Sequence, residues 1–456
     1  MRRSVLLLSV LVLLAAGAVP VGAVDTLDSL DTVVDAGPGP GGFTSDNVTY
    51  VGSLPEESSA VGGRVIKVGD QVRFYATGVK GLSIYDVTTP ATPKLLGRLV
   101  LPHEQNEDVS VSDDGNRVVI GADGGLLVPL MLGRGLHVID TSNPANPKTV
   151  GFHADSNHTV SCADAKCDYV YGSGGNTYDL TDPTKPTRLP KGWQQVVAEQ
   201  RVTLTQTAHD LSRDATGLII TDTVPRVMLD PRQDPTNPTV VTTGKVPGSK
   251  NLAYQHNNLR PRAEQWQPRA EGDTDPLLRP GEMMIGNGET NLRPRCGGGS
   301  NGPIATWDLR NFDQGAEMKP LEIFRPVANG TYADGNPAVN VLGCSGHYFT
   351  ERNNMLAAAW FEHGTRFIEV DPTNGKMKEV GFYQPVVGSA GAAYWIDDEY
   401  VYVTDYERGI DIIKINRTAP APTQAEIETS WLAKLDAPAS TVAERERYVC
   451  SLATAK

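Results

Sequence analysis

The sequence predicts an all-β fold, a seven-bladed β-propeller with a short helical C-terminal tail. Three observations carry this. First, a phrase recurs: GLSIYDVTTPATPKLLG at residues 81–97 returns as GLHVIDTSNPANPKTVG at residues 135–151. Altered copies are NTYDLTDPTKPTRLP at 176–190, MLDPRQDPTNPTVVTTG at 228–244 and FIEVDPTNGKMKEVG at 367–381. A period of roughly 40–50 residues marks a repeat array. Second, 46 glycines and 32 prolines among 456 residues suit many short strands and turns, not a helical bundle. Third, the stretches between copies hold further short strands. A small sheet of three or four strands cannot bury both faces alone, so neighbours must stack. Radial stacking leaves only short, protected edges.

In the phrase itself, Leu82, Ile84 and Val87 give a strand its apolar and β-branched character, and Asp86 ends it. Pro90 and Pro93 then set a rigid turn, since each fixes φ and removes a donor. Seven units follow this plan, over residues 62–99, 103–152, 158–190, 209–246, 254–327, 344–387 and 391–416. The seventh lacks an outer strand. VTYVGSL, at 48–54, is a strand without a unit, and pairing it with the last unit would close the ring.

The ends differ in character. Residues 1–23 read as a secretory signal: Arg2 and Arg3, an apolar core over 5–16, and the small residues Val21, Gly22 and Ala23 before a cut. Residues 24–46 are acidic, then Gly/Pro-rich, and read as a flexible linker. The G-x-G-x-x-G at Gly37, Gly39 and Gly42 has neither the strand before it nor the helix after it that dinucleotide binding needs. The propeller is expected over 47–417 and the helical tail over 418–456. No later stretch is long and apolar enough for a transmembrane span. A net charge of -13 argues against nucleic acid as a partner. The expectation is a protein exported to the extracellular space or the periplasm, whose partner is a small molecule or an extracellular protein.

Cysteine usage agrees with export. Cys162 and Cys167 can bridge across the turn CADAKC, and Cys296 and Cys344 form a second expected disulfide. The other reading of Cys296 and Cys344 is thiolate ligation beside His347. Cys450 is left over.

The first two copies of the phrase resemble the LVIVD-repeat family of secreted β-propellers. The resemblance implies a propeller and extracellular placement. It implies no single activity, because fold does not fix function.

Chemistry is expected on the inner strands. Aligning the units puts a histidine near the start of four of them: His158, His209, His256 and His347. The second unit offers Glu107 and Asp108 there, with His103 just before, and the first and seventh units offer Val65 and Ala392. Equivalent positions on successive blades stand at one height around the axis, so four histidines would form a partial ring. Convergent imidazoles suit copper, zinc or iron. Asp210, Glu107 and His363 are candidate ligand-binding groups on the same face, as are Arg293 and Arg295, which could hold an anion. The same pattern also fits a polar pocket without metal, or histidines that hydrogen-bond the neighbouring blade. The insertion 260–281 belongs on the opposite face, as a cover or a partner surface. H-E-x-x-H and C-x-x-C are absent. Two functions follow: a binding module, with or without metal, or a copper-dependent oxidoreductase similar in architecture to the methanethiol oxidase (selenium-binding) family.

Overall fold

The structure is a computed structural model that describes residues 42–101, 109–122, 134–155, 157–246, 255–289, 302–325, 345–361, 363–385 and 388–423. These residues form seven antiparallel sheets, six of four strands and one of five. The inner strands are Ala60–Val68, Ser110–Val111, Val160–Cys162, Leu211–Arg213, Gln255–Leu259, Phe349–Arg352 and Ala390–Trp395. Each neighbours the next, and Ala390–Trp395 neighbours Ala60–Val68, so the circle closes. This is a seven-bladed β-propeller, as expected.

Side-chain alternation builds the stack. In the first blade Tyr75, Leu82 and Ile84 face the second blade, packing with Val111, Val118 and Ile120. Phe74, Ala76 and Tyr85 face the other way, toward Tyr394, Tyr402 and Ile412 of the seventh. Corresponding clusters fill the other five interfaces. A fully buried side chain such as Ile84 contributes about 1.5–3 kcal/mol. Outer strands need bury less: Thr187–Arg188 is exposed throughout.

The recurring phrase has two structural jobs. Its aspartate closes the turn. Asp86, Asp140, Asp179, Asp230, Asp308 and Asp371 each accept a hydrogen bond from the backbone N–H two residues on, at 2.8–3.0 Å. Asn416 does the same in the seventh blade, from Thr418 at 3.0 Å. Hydrogen bonds from Ser142 and Thr373 hold the Asp140 and Asp371 carboxyls below the usual carboxylate range. The phrase's final glycine sits beside a bulge in the outer strand, between Leu95 and Gly97 in the first blade and between Thr149 and Gly151 in the second. There the next blade's turn comes close. A Cβ on Gly97 would meet the Pro144 carbonyl at 2.3 Å, and one on Gly151 the Pro183 carbonyl at 2.0 Å.

Closure is made by Val48–Leu54. It pairs antiparallel with Gly409–Ile415, from Val48 opposite Ile415 to Leu54 opposite Ile410. Its bulge lies between Tyr50 and Gly52, the place every other outer bulge holds in the repeat. A strand from before the first blade thus completes the seventh sheet. Gly42–Thr44, inside the segment read as a linker, adds a fifth strand to the sixth sheet by pairing with Met377–Pro385.

Three local features bear on the sequence expectations. Cys162 and Cys167 form a disulfide. A short helix, Trp193–Glu199, was not expected; it buries Trp193, Val196 and Val197 against the third and fourth blades. The insertion 260–281 packs on the face opposite the strand entries, against turns of the fourth, fifth and sixth blades: Arg260 reaches Asp214, Trp266 lies against Phe312, and the Leu278 N–H donates to the Thr373 carbonyl. Arg269 pairs with Glu282 at 2.5 Å, and Arg260 lies over Phe312 at 4.6 Å and Trp266 at 5.5 Å. The signal segment, the tail beyond Thr423, His103, Glu107, Asp108, Arg293, Arg295, Cys296, Cys344 and Cys450 lie outside the described residues. Among the described residues no helix is long and apolar enough to cross a membrane.

Two measurements check this architecture. A chain beginning at Gly62 should fail to give a cooperative melt, because one face of Gly409–Ile415 loses its partner; an unchanged melt would refute closure. Gly151→Ala should lower stability by about 1–3 kcal/mol in urea unfolding, since the Pro183 carbonyl must move aside.

Candidate functional site

The four strand-entry histidines belong to the third, fourth, fifth and sixth blades. His158 and His209 stand two residues before their strands, His256 is the second residue of its strand, and His347 stands two residues before Phe349. The register places the corresponding point of the first blade near Ala60, which pairs with Gly78, not at Val65, which pairs with Phe74 farther along. In the seventh blade it lies near Ala390, opposite Asp405, rather than at Ala392. Both are small apolar residues.

The imidazoles form a row. Ring centroids are 4.5 Å apart for His158 and His209, 4.0 Å for His209 and His256, and 4.3 Å for His256 and His347. His209, His256 and His347 are buried and His158 is half-buried. Beyond His347 the row meets Phe361 at 4.6 Å and Tyr348 at 4.9 Å.

In the third, fourth and fifth blades a side chain at the end of the second strand holds this row. The Asp222 carboxylate accepts the backbone N–H groups of His209 and Asp210, both at 2.8 Å. Asn287 accepts the Asn257 N–H at 2.8 Å and donates to the His347 carbonyl at 2.7 Å. Ser173 accepts from the Thr159 N–H at 3.3 Å, and the Thr159 hydroxyl donates to the His209 carbonyl. These three residues were not anticipated, although IITD, IGN and YGS end their strands alike. Burial, with Asp210 adding to it, raises the Asp222 carboxyl well above the usual range. Burial also lowers the nearby Arg226 guanidinium to about 10.

His347 Nδ1 lies 2.5 Å from the Gly391 carbonyl of the seventh blade. A carbonyl only accepts, so Nδ1 carries the hydrogen and Nε2 the lone pair. This is the blade-to-blade hydrogen bond that the sequence left open, and it also orients a donor atom.

Two carboxylates join the row. Asp210 Oδ2 is 3.9 Å from His209 Nδ1, and Glu289 Oε2 is 3.7 Å from His256 Nε2. Glu289 was missed; it lies in a Gly-rich stretch with no periodic signal. Among the described residues, donor atoms within 4.8 Å of one another fall into two sets, His209–Asp210–His256 and His256–Glu289–His347. Each set is two imidazoles and one carboxylate, a donor type suited to iron, zinc or copper. Donors around a tetrahedral ion at about 2.0–2.1 Å stand about 3.3 Å apart, so no donor pair in either set would need to close by more than about 1.5 Å on loading.

His363 has a different setting. Its Nδ1 faces the Arg366 guanidinium at 3.1 Å, and Arg366 pairs with buried Glu379 at 3.1 Å. Burial and then the Arg366 charge hold His363 well below the ordinary histidine range. It belongs to neither donor set.

Along the channel from the row lies a cavity of about 210 Å3 lined by Arg64, Arg213, Asn258, Arg260, Tyr348 and Tyr394, among others. Tyr348 joins the two spaces, its ring 4.7 Å from His256. Asn258 is 1% exposed, and neither polar atom of its carboxamide has a partner among the described residues. Arg260 is held by Asp214 and the Gly281 carbonyl, both at 2.7 Å.

The LVIVD repeat model matches residues 132–154, around the second copy of the phrase. No curated protein matches the sequence. The β-propeller domain of Cps50 (Swd1) from Myceliophteria thermophila is similar in structure, with a TM-score of 0.52 and 12% identity, covering 81% of this chain and 100% of that chain. A putative 6-phosphogluconolactonase from Bacteroides uniformis gives 0.49 and 14%, covering 75% and 90% of the two chains. YCF48 from Cyanidioschyzon merolae gives 0.48 and 9%, covering 82% and 99%. At these identities the likeness concerns the propeller fold.

Asp405 ends the second strand of the seventh blade, Tyr400–Asp405. Burial, then Asp411, pushes its carboxyl up to about 7. The unfolded chain releases that proton near pH 4, so Asp405 contributes stability that is full below pH 4 and is lost as pH rises to 7. Asp405→Asn should therefore gain on the wild type by about 4 kcal/mol between pH 4 and pH 8. Urea unfolding at both ends of that range measures it, and a constant difference would refute it.

Proposed function

We propose that this chain is a secreted LVIVD-type propeller that binds a small ligand at its channel mouth through a histidine-held transition ion. The row of four imidazoles, joined through Tyr348 to a cavity lined by the Asn258 carboxamide, carries this reading. His209, Asp210 and His256, or His256, Glu289 and His347, would hold the ion, copper first, with zinc or iron the alternatives; bound, it would supply a Lewis acid.

The remaining chemistry belongs to the chain. Asp222 and Asn287 fix the backbone that carries the imidazoles. Arg64 brings positive charge to the cavity, where Arg213 is paired with Asp113 and Arg260 with Asp214, and Asn258 offers both a donor and an acceptor. That combination favours a small carboxylate or another oxyanion with a hydrogen-bond donor of its own. The space is equivalent to about seven water molecules, so the ligand is small. Export is supported by the basic and apolar leader and by the Cys162–Cys167 disulfide, a bond at home outside the reducing cytosol.

Tag-free protein, reconstituted with copper, zinc and iron and then dialysed, should retain a transition ion. His256→Ala should lose it while keeping its melting transition. If the wild type retains no ion, the metal reading falls. The mature exported chain should begin at Val24 by N-terminal sequencing; a retained leader in the cytosolic fraction would overturn secretion.

A further inference from the structure

We infer that the site is dinuclear, with His256 as a bridge between two ions. The inference rests on the metal reading above. Its starting point is that the donors do not gather at one place. The two sets share one residue, His256, which lies in the middle of the row. Its ring has His209 at 4.0 Å on one side and His347 at 4.3 Å on the other.

The chemistry of imidazole then assigns the positions. Its two nitrogens carry in-plane lone pairs that point apart, so one ring cannot give both to a single ion. Glu289 stands 3.7 Å from Nε2, which assigns Nε2 to the set completed by His347. Nδ1 then serves the set completed by His209 and Asp210. Each ion would receive two imidazole nitrogens and one carboxylate. The two carboxylates offset half of the four positive charges of two divalent ions, and the loss of one proton from His256 offsets a further unit.

That proton gives a balance that can be counted. Neutral His256 carries one ring hydrogen. When both nitrogens coordinate, that hydrogen leaves to solvent as H+, and the second ion takes its lone pair. His347 differs, since its Nδ1 hydrogen is held by the Gly391 carbonyl and only Nε2 is available. His256, with 0% exposure and a carboxylate-bearing set on either side, is the ring placed to bridge.

The test uses the full tag-free chain titrated with copper(II) alone. Bound metal is counted by elemental analysis after gel filtration, and proton release by calorimetry in two buffers of different ionisation enthalpy. The wild type should hold two copper ions per chain. Their spins should couple through the imidazolate, giving an integrated paramagnetic signal well below two spins. Asp210→Asn and Glu289→Gln should each hold one copper, with a full single spin. One copper in the wild type, lost in either variant, would overturn the bridge and leave the single-ion reading standing. Two coppers with two full spins would also overturn the bridge. No copper would overturn the bridge and the assignment of copper. Melting curves of the two near-isosteric variants show whether the fold is kept.

Discussion

The antiparallel pairing of Val48–Leu54 with Gly409–Ile415 is the interaction on which the rest depends. Every blade is apolar on both faces, so each needs a neighbour on both sides. A linear row of seven blades would leave two such faces in water. The pairing removes that penalty by letting the start of the chain finish the last sheet. It also sets the site, because four imidazoles from four separate blades meet only when the blades stand around one axis.

Between the first three blades the recurring phrase adds a close contact to the apolar core. Its aspartate folds the turn back on itself, and its glycine leaves room for the next blade's turn. The proline carbonyl occupying that room, from Pro144 or Pro183, belongs to the same phrase one unit later. Each copy is thus both key and lock. The aspartate is present in six blades, whereas the bulge glycine is Gly97, Gly151 and Gly381 in the first, second and sixth and is replaced by Thr242 in the fourth and Glu322 in the fifth.

The inner strands follow another logic. They carry few side chains that a period-2 pattern would mark as core, because their inward face is polar. His209, Asp210, Asn257 and Asn258 are all buried. Low-dielectric surroundings strengthen hydrogen bonds and make any lost partner costly. The second-strand residues Asp222 and Asn287 therefore act on the row without touching a ring, by fixing the backbone on which the rings stand.

The blade count, the turn chemistry, the closing strand and the four histidine positions were legible in the sequence, since each rests on local patterns repeated at a fixed period. His363 was legible as a residue but not in its role, because its Arg366–Glu379 partners come from the outer half of the same blade. Glu289, Asp222, Asn287 and the helix Trp193–Glu199 were not legible. Each matters through a contact between segments tens of residues apart, or through one turn of helix too short to show a period. By itself the sequence determined that seven sheets would form and that imidazoles would sit at strand entries. Only the tertiary structure decided that the donors part into two sets around His256. The angle between neighbouring blades sets which ring nitrogens face one another, and no single repeat contains that angle.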